Sequence, residues 1–210
     1  MKLTLLLIII NVLVFFYSLN APENFFVSYG FSVSNFLSGK YYVLITSMFL
    51  HAGVFHLANN MIALFFLGSS IESKVKWWQY LLVYFLAGIL GCLSMFIPIF
   101  GYSSTDIAVG ASAAISGLIG LGAFVSPGKL TFFPFIIPVP FLVAGAIYFL
   151  STASLLFVQS NMAYPAHFAG LLGGAVFGLI WGENRLKRMI LFILICLLIL
   201  ALLYILRMII

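Results

Sequence analysis

Charge is the first thing this chain lacks. Only 6% of its 210 residues are charged and four are acidic, while 65% are hydrophobic. Soluble domains carry roughly a quarter charged residues, so a soluble fold is excluded. Residues 1–210 read as a single helical membrane domain. Cysteine is almost absent: Cys92 and Cys196 stand alone in apolar runs without metal-type spacing. They read as packed thiols that carry no information on redox compartment. Histidine is nearly as rare, with His51, His56 and His167 the full set. No His-x-x-x-His spacing or flanking carboxylate marks them as a zinc site, and nothing in the sequence implies a metal or cofactor. The formal net charge of +5 does not signal nucleic acid, because the nine basic residues are scattered in ones, twos and threes. They suit the ends of membrane helices.

What the chain has in abundance is apolar runs. Seven are legible, at about 3–19, 48–69, 77–98, 110–125, 137–157, 165–182 and 189–209. Most reach the roughly 20 residues that cross a hydrocarbon core. The first lacks a small-x-small cleavage site and is expected to remain as a helix rather than leave as a signal peptide. Lys2, Lys74, Lys76, Lys129, Arg185, Lys187 and Arg188 fall at one set of alternate helix ends, and only Lys40 and Arg207 at the other. That asymmetry predicts a cytoplasmic N-terminus. The longest connection, about residues 20–47, interleaves aromatic and polar residues and is expected to lie partly sunk in the outer interface. Pro127, Pro134, Pro138 and Pro140 should end the fourth helix and delay the fifth.

The polar residues inside these runs locate the chemistry. Ser112 lies 17 residues before Lys129, which places it roughly 25 Å from that inner anchor if the stretch is helical. His167 lies 16 residues before Glu183, or roughly 24 Å by the same rise. The two come out at one depth, a few ångströms below the outer surface of a core about 30 Å thick. Stripes of small residues accompany both: Ser112, Ser116, Gly120 and Ala123 on one helix; His167, Gly170, Gly174 and Gly178 on the other. Such stripes let membrane helices pack closely, so the serine and the imidazole are predicted to meet. His56 and Asn60 are four apart and share a face near the outer end of the second helix. Polar side chains in lipid face a partner or a cavity. His51 lies off that face, at the loop end.

Taken together, these segments resemble the rhomboid family of intramembrane serine proteases. The resemblance rests on His51, His56 and Asn60 in a His-x-x-x-x-His-x-x-x-Asn run, on Gly110 and Ser112 in Gly-x-Ser, and on Ala166, His167 and Gly170 in Ala-His-x-x-Gly. It covers about residues 1–185. It implies an all-α polytopic fold, a six-helix core with one additional C-terminal transmembrane helix at about 189–209. It implies Ser112 as nucleophile, His167 as general base, and His56 and Asn60 as oxyanion-stabilising groups, in a dyad that needs no acid. The substrates implied are transmembrane proteins, cut near the outer face of the bilayer.

Three positions depart from the family pattern. Ala113 follows the serine where glycine is usual. Ser116 stands where some members place an aromatic ring against the histidine. Tyr42-Val43 occupies the site of a Trp-Arg pair in the long outer loop. Because both Ser112 and His167 are present, an active enzyme is expected over an inactive relative that binds or dislocates membrane proteins. An unrelated transporter would put ionisable groups near the midplane or break helices in paired positions, which this sequence does not do. The setting expected is a prokaryotic plasma membrane.

Overall fold

The computed structural model describes residues 1–133, 137–158 and 162–209. Seven apolar helices make up most of it: α1 (Lys2–Ser18), α2 (Val54–Glu72), α3 (Trp77–Leu93), α4 (Ser112–Val125), α5 (Phe141–Ser154), α6 (Tyr164–Trp181) and α7 (Arg185–Ile209). By length and composition α2, α3, α6 and α7 can cross a membrane; α1, α4 and α5 are shorter apolar helices. The chain is thus an all-α polytopic membrane protein.

Two helix starts differ from the sequence expectation, each for a visible reason. Before α2 the chain makes a 3₁₀ turn at Ser47–Phe49 and extends at Leu50. His51, at the loop end as expected, has its side chain drawn into the interior, 1% exposed. The second late start is α5. The proline-rich segment before it forms a two-stranded antiparallel ribbon, β1 (Leu130–Phe132) and β2 (Pro138–Pro140), with Thr131 opposite Val139. The Phe133 N–H donates to the Ile137 carbonyl at 2.9 Å and the Phe141 N–H to the Lys129 carbonyl at 3.0 Å. Pro138 and Pro140 fall between those bonded positions, where an antiparallel pair needs no N–H. Pro134 lies outside the described residues.

The centre of the bundle is α4, buried from Ala113 through Phe124. Its tightest neighbour is α6. A Cβ on Gly174 would overlap the Gly117 carbonyl, and one on Gly170 the Ala113 carbonyl. The α6 stripe therefore faces α4 as its sequence suggested, and its glycines meet Ala113, Gly117 and Leu121. Of the expected α4 stripe, Ser112 and Gly120 do meet α6, at His167 and at the Leu171 and Ala175 backbone, while Ser116 turns to Tyr148. Close approach is made through backbone carbonyls, which no pattern of side chains reports. Ala123 turns instead to Gly145 of α5, and Gly117 also meets Ala87 of α3.

The opposite end of the bundle from Ser112 is tied by polar bonds. Glu72, last in α2, accepts from the Leu3 and Thr4 N–H groups at 3.0 Å and from the Thr4 hydroxyl at 2.7 Å. It thus satisfies donors that the first turn of α1 leaves unpaired. Since the Thr4 proton goes to Glu72, the Tyr80 hydroxyl donates to Thr4, at 3.0 Å. Lys129 donates to the Ser70 carbonyl and the Ser73 hydroxyl, and Arg188 to the Phe124 and Val125 carbonyls at the end of α4. Among the described residues seven helix ends are gathered on this basic side. α7 leaves it with a narrow inward strip (Phe192, Ile195 and the buried Cys196), and presents most of its other apolar side chains outward.

Candidate active site

Ser112 is the first residue of α4. Fourteen residues span roughly 21 Å at 1.5 Å each, less than a hydrocarbon core about 30 Å thick. The chain reaches that head through Gly110, whose φ of +120° suits a residue without Cβ. The Gly110 N–H is fixed to the Ser47 carbonyl at 2.9 Å. As the first helical residue, Ser112 has a backbone N–H without an intrahelical acceptor, at the end of the helix where negative charge is favoured.

His167 comes from the first turn of α6, which opens on Tyr164 and Pro165. Its Nε2 lies 2.8 Å from the Ser112 Oγ. For the serine hydroxyl to donate, the imidazole proton must sit on Nδ1. The ring is 9% exposed. Among the described residues no carboxylate bonds to it. A cavity of about 770 Å³ opens beside the pair, lined among others by His56, Asn60, Tyr102, Asp106, Ser112 and His167.

His56 lies on the other side of Gly110: a Cβ there would stand 2.7 Å from Nε2. Its Nδ1 accepts the Ala52 N–H at 3.4 Å, which leaves Nε2 as the protonated, donating nitrogen of a neutral ring. Asn60 also lines the cavity, yet its amide donates to the His56 carbonyl one turn back, at 2.9 Å. That bond uses one of two amide hydrogens and leaves the second for the cavity. His51 does not reach the cavity. Its ring packs against His56 with centroids 5.0 Å apart, at 62°.

Two side chains here were not singled out together by the sequence. Ser116, one turn below Ser112, is fully buried and faces α5, where it bonds the Tyr148 hydroxyl at 2.8 Å. The Tyr148 ring lies against His167, 25° from parallel with centroids 6.5 Å apart. A lone tyrosine in an apolar run carries no signal of this. The outer loop is also anchored without a Trp-Arg pair: Val43 is fully buried, Tyr42 donates to the Ser28 carbonyl, and Asn35 donates to the Val27 and Gly30 carbonyls.

The chain is similar to known proteins over most of its length. Residues 38–184 match the rhomboid domain family. The chain is 32% identical over 175 residues to "RHOMBOID-like protein 12, mitochondrial" of Arabidopsis thaliana, covering 75% of this chain and 50% of that protein. It is 32% identical over 136 residues to "Rhomboid protease GluP" of Bacillus subtilis, 65% of this chain and 25% of the relative. It is 30% identical over 163 residues to "Putative rhomboid protease YdcA" of the same organism, at 76% and 75% coverage. The chain thus spans half or less of the first two relatives' length and three quarters of the third. With the family domain matched across α2 to α6, where Ser112, His167, His56 and Asn60 all reside, the chain belongs to the rhomboid family.

Proposed function

We propose that this protein is an intramembrane serine endopeptidase that hydrolyses transmembrane proteins near the outer membrane face by a Ser112–His167 dyad. The observation that carries the reading is the 2.8 Å contact between the Ser112 hydroxyl and His167 Nε2 at the head of a buried helix, beside an open cavity. A hydroxyl is a weak nucleophile until a neighbouring base removes its proton. In this reading Ser112 Oγ attacks the scissile carbonyl while His167 Nε2 takes the hydroxyl proton. The oxyanion receives hydrogen bonds from the Ser112 N–H and the His56 Nε2–H, with the free Asn60 amide hydrogen within the same cavity. His167 then returns its proton to the leaving amine. Water, deprotonated by the same imidazole, cleaves the acyl-enzyme and regenerates Ser112. A substrate helix keeps its carbonyls bonded within the lipid, so it must unwind locally to present one. That requirement fits an active site at the head of a shortened helix.

Orientation follows from the basic side of the bundle, where seven of the nine lysines and arginines lie. It supports a cytoplasmic N-terminus and a site near the outer surface. The setting we propose is a prokaryotic plasma membrane; the relatives named above include both bacterial and mitochondrial proteins. The test is cleavage of a transmembrane reporter by purified protein in liposomes. Wild type should cut, with the new termini mapping near the reporter's outer end. Ser112→Ala and His167→Ala should abolish cutting, and Ser116→Ala should retain it. Cleavage that survives Ser112→Ala would overturn the assignment.

A further inference from the structure

A dyad without an acid leaves open what holds the base. In a triad a carboxylate fixes the imidazole's orientation and tautomer; here no carboxylate touches His167 among the described residues. We propose that Tyr148 is the positioning residue for His167, and that Ser116 holds Tyr148 in place. The inference rests on the protease reading above and adds to it a part of the machinery contributed by α5.

The hydrogen-bond directions are determined by counting protons. The Ser116 hydroxyl has one hydrogen, and it donates this to the Ser112 carbonyl at 2.7 Å. At the 2.8 Å contact with Tyr148 it can therefore only accept, so the tyrosine hydroxyl donates to Ser116. Tyr148 thus offers its proton to no substrate and serves through its ring. That ring lies in offset-stacked range of the imidazole, while Phe133 meets it edge-on, at 83° with centroids 6.0 Å apart. Tyr164 closes the edge of His167, at 83° and 6.4 Å. The contacts form a closed circuit: Ser112 carbonyl to Ser116, Ser116 to Tyr148, Tyr148 to His167, and His167 back to the Ser112 hydroxyl. Three helices, α4, α5 and α6, are thereby joined at the reacting atoms. The imidazole is kept from rotating about its Cβ–Cγ bond by a flat wall whose own position is pinned to the nucleophile's backbone.

The circuit makes separable predictions for ring and hydroxyl. Tyr148→Met, which keeps a long side chain and removes the flat wall, should lower kcat on a transmembrane reporter roughly 10- to 100-fold, the cost of a misplaced catalytic group. KM should stay within about twofold, since a base acts after binding. The rate at which a fluorophosphonate labels Ser112 should fall by a similar factor, because that reaction needs the base but no substrate helix. Tyr148→Phe and Ser116→Ala should each lower kcat by less than about fivefold. Combining them should cost no more than the larger single effect, since both remove one bond. The inference is overturned if Tyr148→Met leaves kcat and labelling within about twofold of wild type. It is equally overturned if the loss lies in KM alone, or if Tyr148→Phe loses as much as Tyr148→Met. Should Tyr148→Met not fold, the decision passes to the Tyr148→Phe, Ser116→Ala pair: full additivity would refute the circuit. Loss of activity in Ser112→Ala and His167→Ala with none in Tyr148→Met would sink this inference alone and leave the protease reading intact.

Discussion

Gly110→Ala tests the oxyanion assignment independently of the dyad. The backbone there has φ +120°, and holding an alanine in such a region costs about 1–3 kcal/mol of stability. The added methyl has a second effect. It would lie 2.7 Å from His56 Nε2 and 2.9 Å from Cε1, where ordinary contact begins at 3.4 Å. The imidazole must therefore withdraw by the difference, about 0.7 Å, or rotate away. Losing one oxyanion donor costs roughly 10²–10³ in kcat, so a donor displaced this far should cost about 30- to 100-fold. The assay is reporter cleavage in liposomes with kcat and KM separated, and the stability change is measured on the inactive Ser112→Ala background. Repeating Gly110→Ala in a His56→Ala protein completes the cycle, and there it should cost less than about threefold, because the group it displaces is gone. An unchanged kcat in Gly110→Ala would refute the reasoning. So would an equal loss in both backgrounds, which would place the damage in the loop and not at His56.

Other perturbations follow from the same contacts. Asn60→Ala should lower kcat about 10-fold or more if its free amide hydrogen joins the oxyanion site; an unchanged kcat would confine Asn60 to its bond with the His56 carbonyl. Gly174→Val drives a side chain into the Gly117 carbonyl and should destabilise the bundle by about 3 kcal/mol or more. Gly173→Ala meets only the flexible Leu90 side chain and should cost less than about 1.5 kcal/mol. Thermal unfolding in one detergent compares the two. Arg188→Met removes a charged donor from the final carbonyls of α4 and should cost about 1.5–3 kcal/mol while sparing cleavage by the folded protein. Glu72→Ala should cost a similar amount by leaving the head of α1 without its acceptors.

The helices and the Ser112–His167 encounter were legible because each rests on a signal that sequence carries. Apolar runs give the spans, and equal distances to the charged ends gave the two residues one depth. The α6 stripe was also legible, since Gly170, Gly174 and Gly178 leave a furrow whatever lies opposite. The matching face of α4 was legible only in part: Ser112 and Gly120 do meet α6, but what enters the furrow at Gly170 and Gly174 is the backbone of Ala113 and Gly117. The ribbon of Leu130–Phe132 and Pro138–Pro140 was read only as a break, for Pro138 and Pro140 exclude helix without announcing that they occupy the unbonded positions of a strand. Ser116 and Tyr148 lie 32 residues apart on different helices, and their relation exists only once α5 is docked. Asn60 illustrates the opposite case: spacing put it on the correct face, but spacing could not tell that its first hydrogen bond goes to the His56 carbonyl one turn back.

The central claim is that the Ser112 hydroxyl, activated by His167, is the nucleophile. Its most direct measurement is peptide mapping by mass spectrometry of the protein after reaction with a fluorophosphonate in liposomes, alongside His167→Ala. The account predicts a single phosphonyl adduct on Ser112, lost in His167→Ala and retained in Ser116→Ala. An adduct on Ser116, or reporter cleavage that continues while Ser112 stays unmodified, would contradict it.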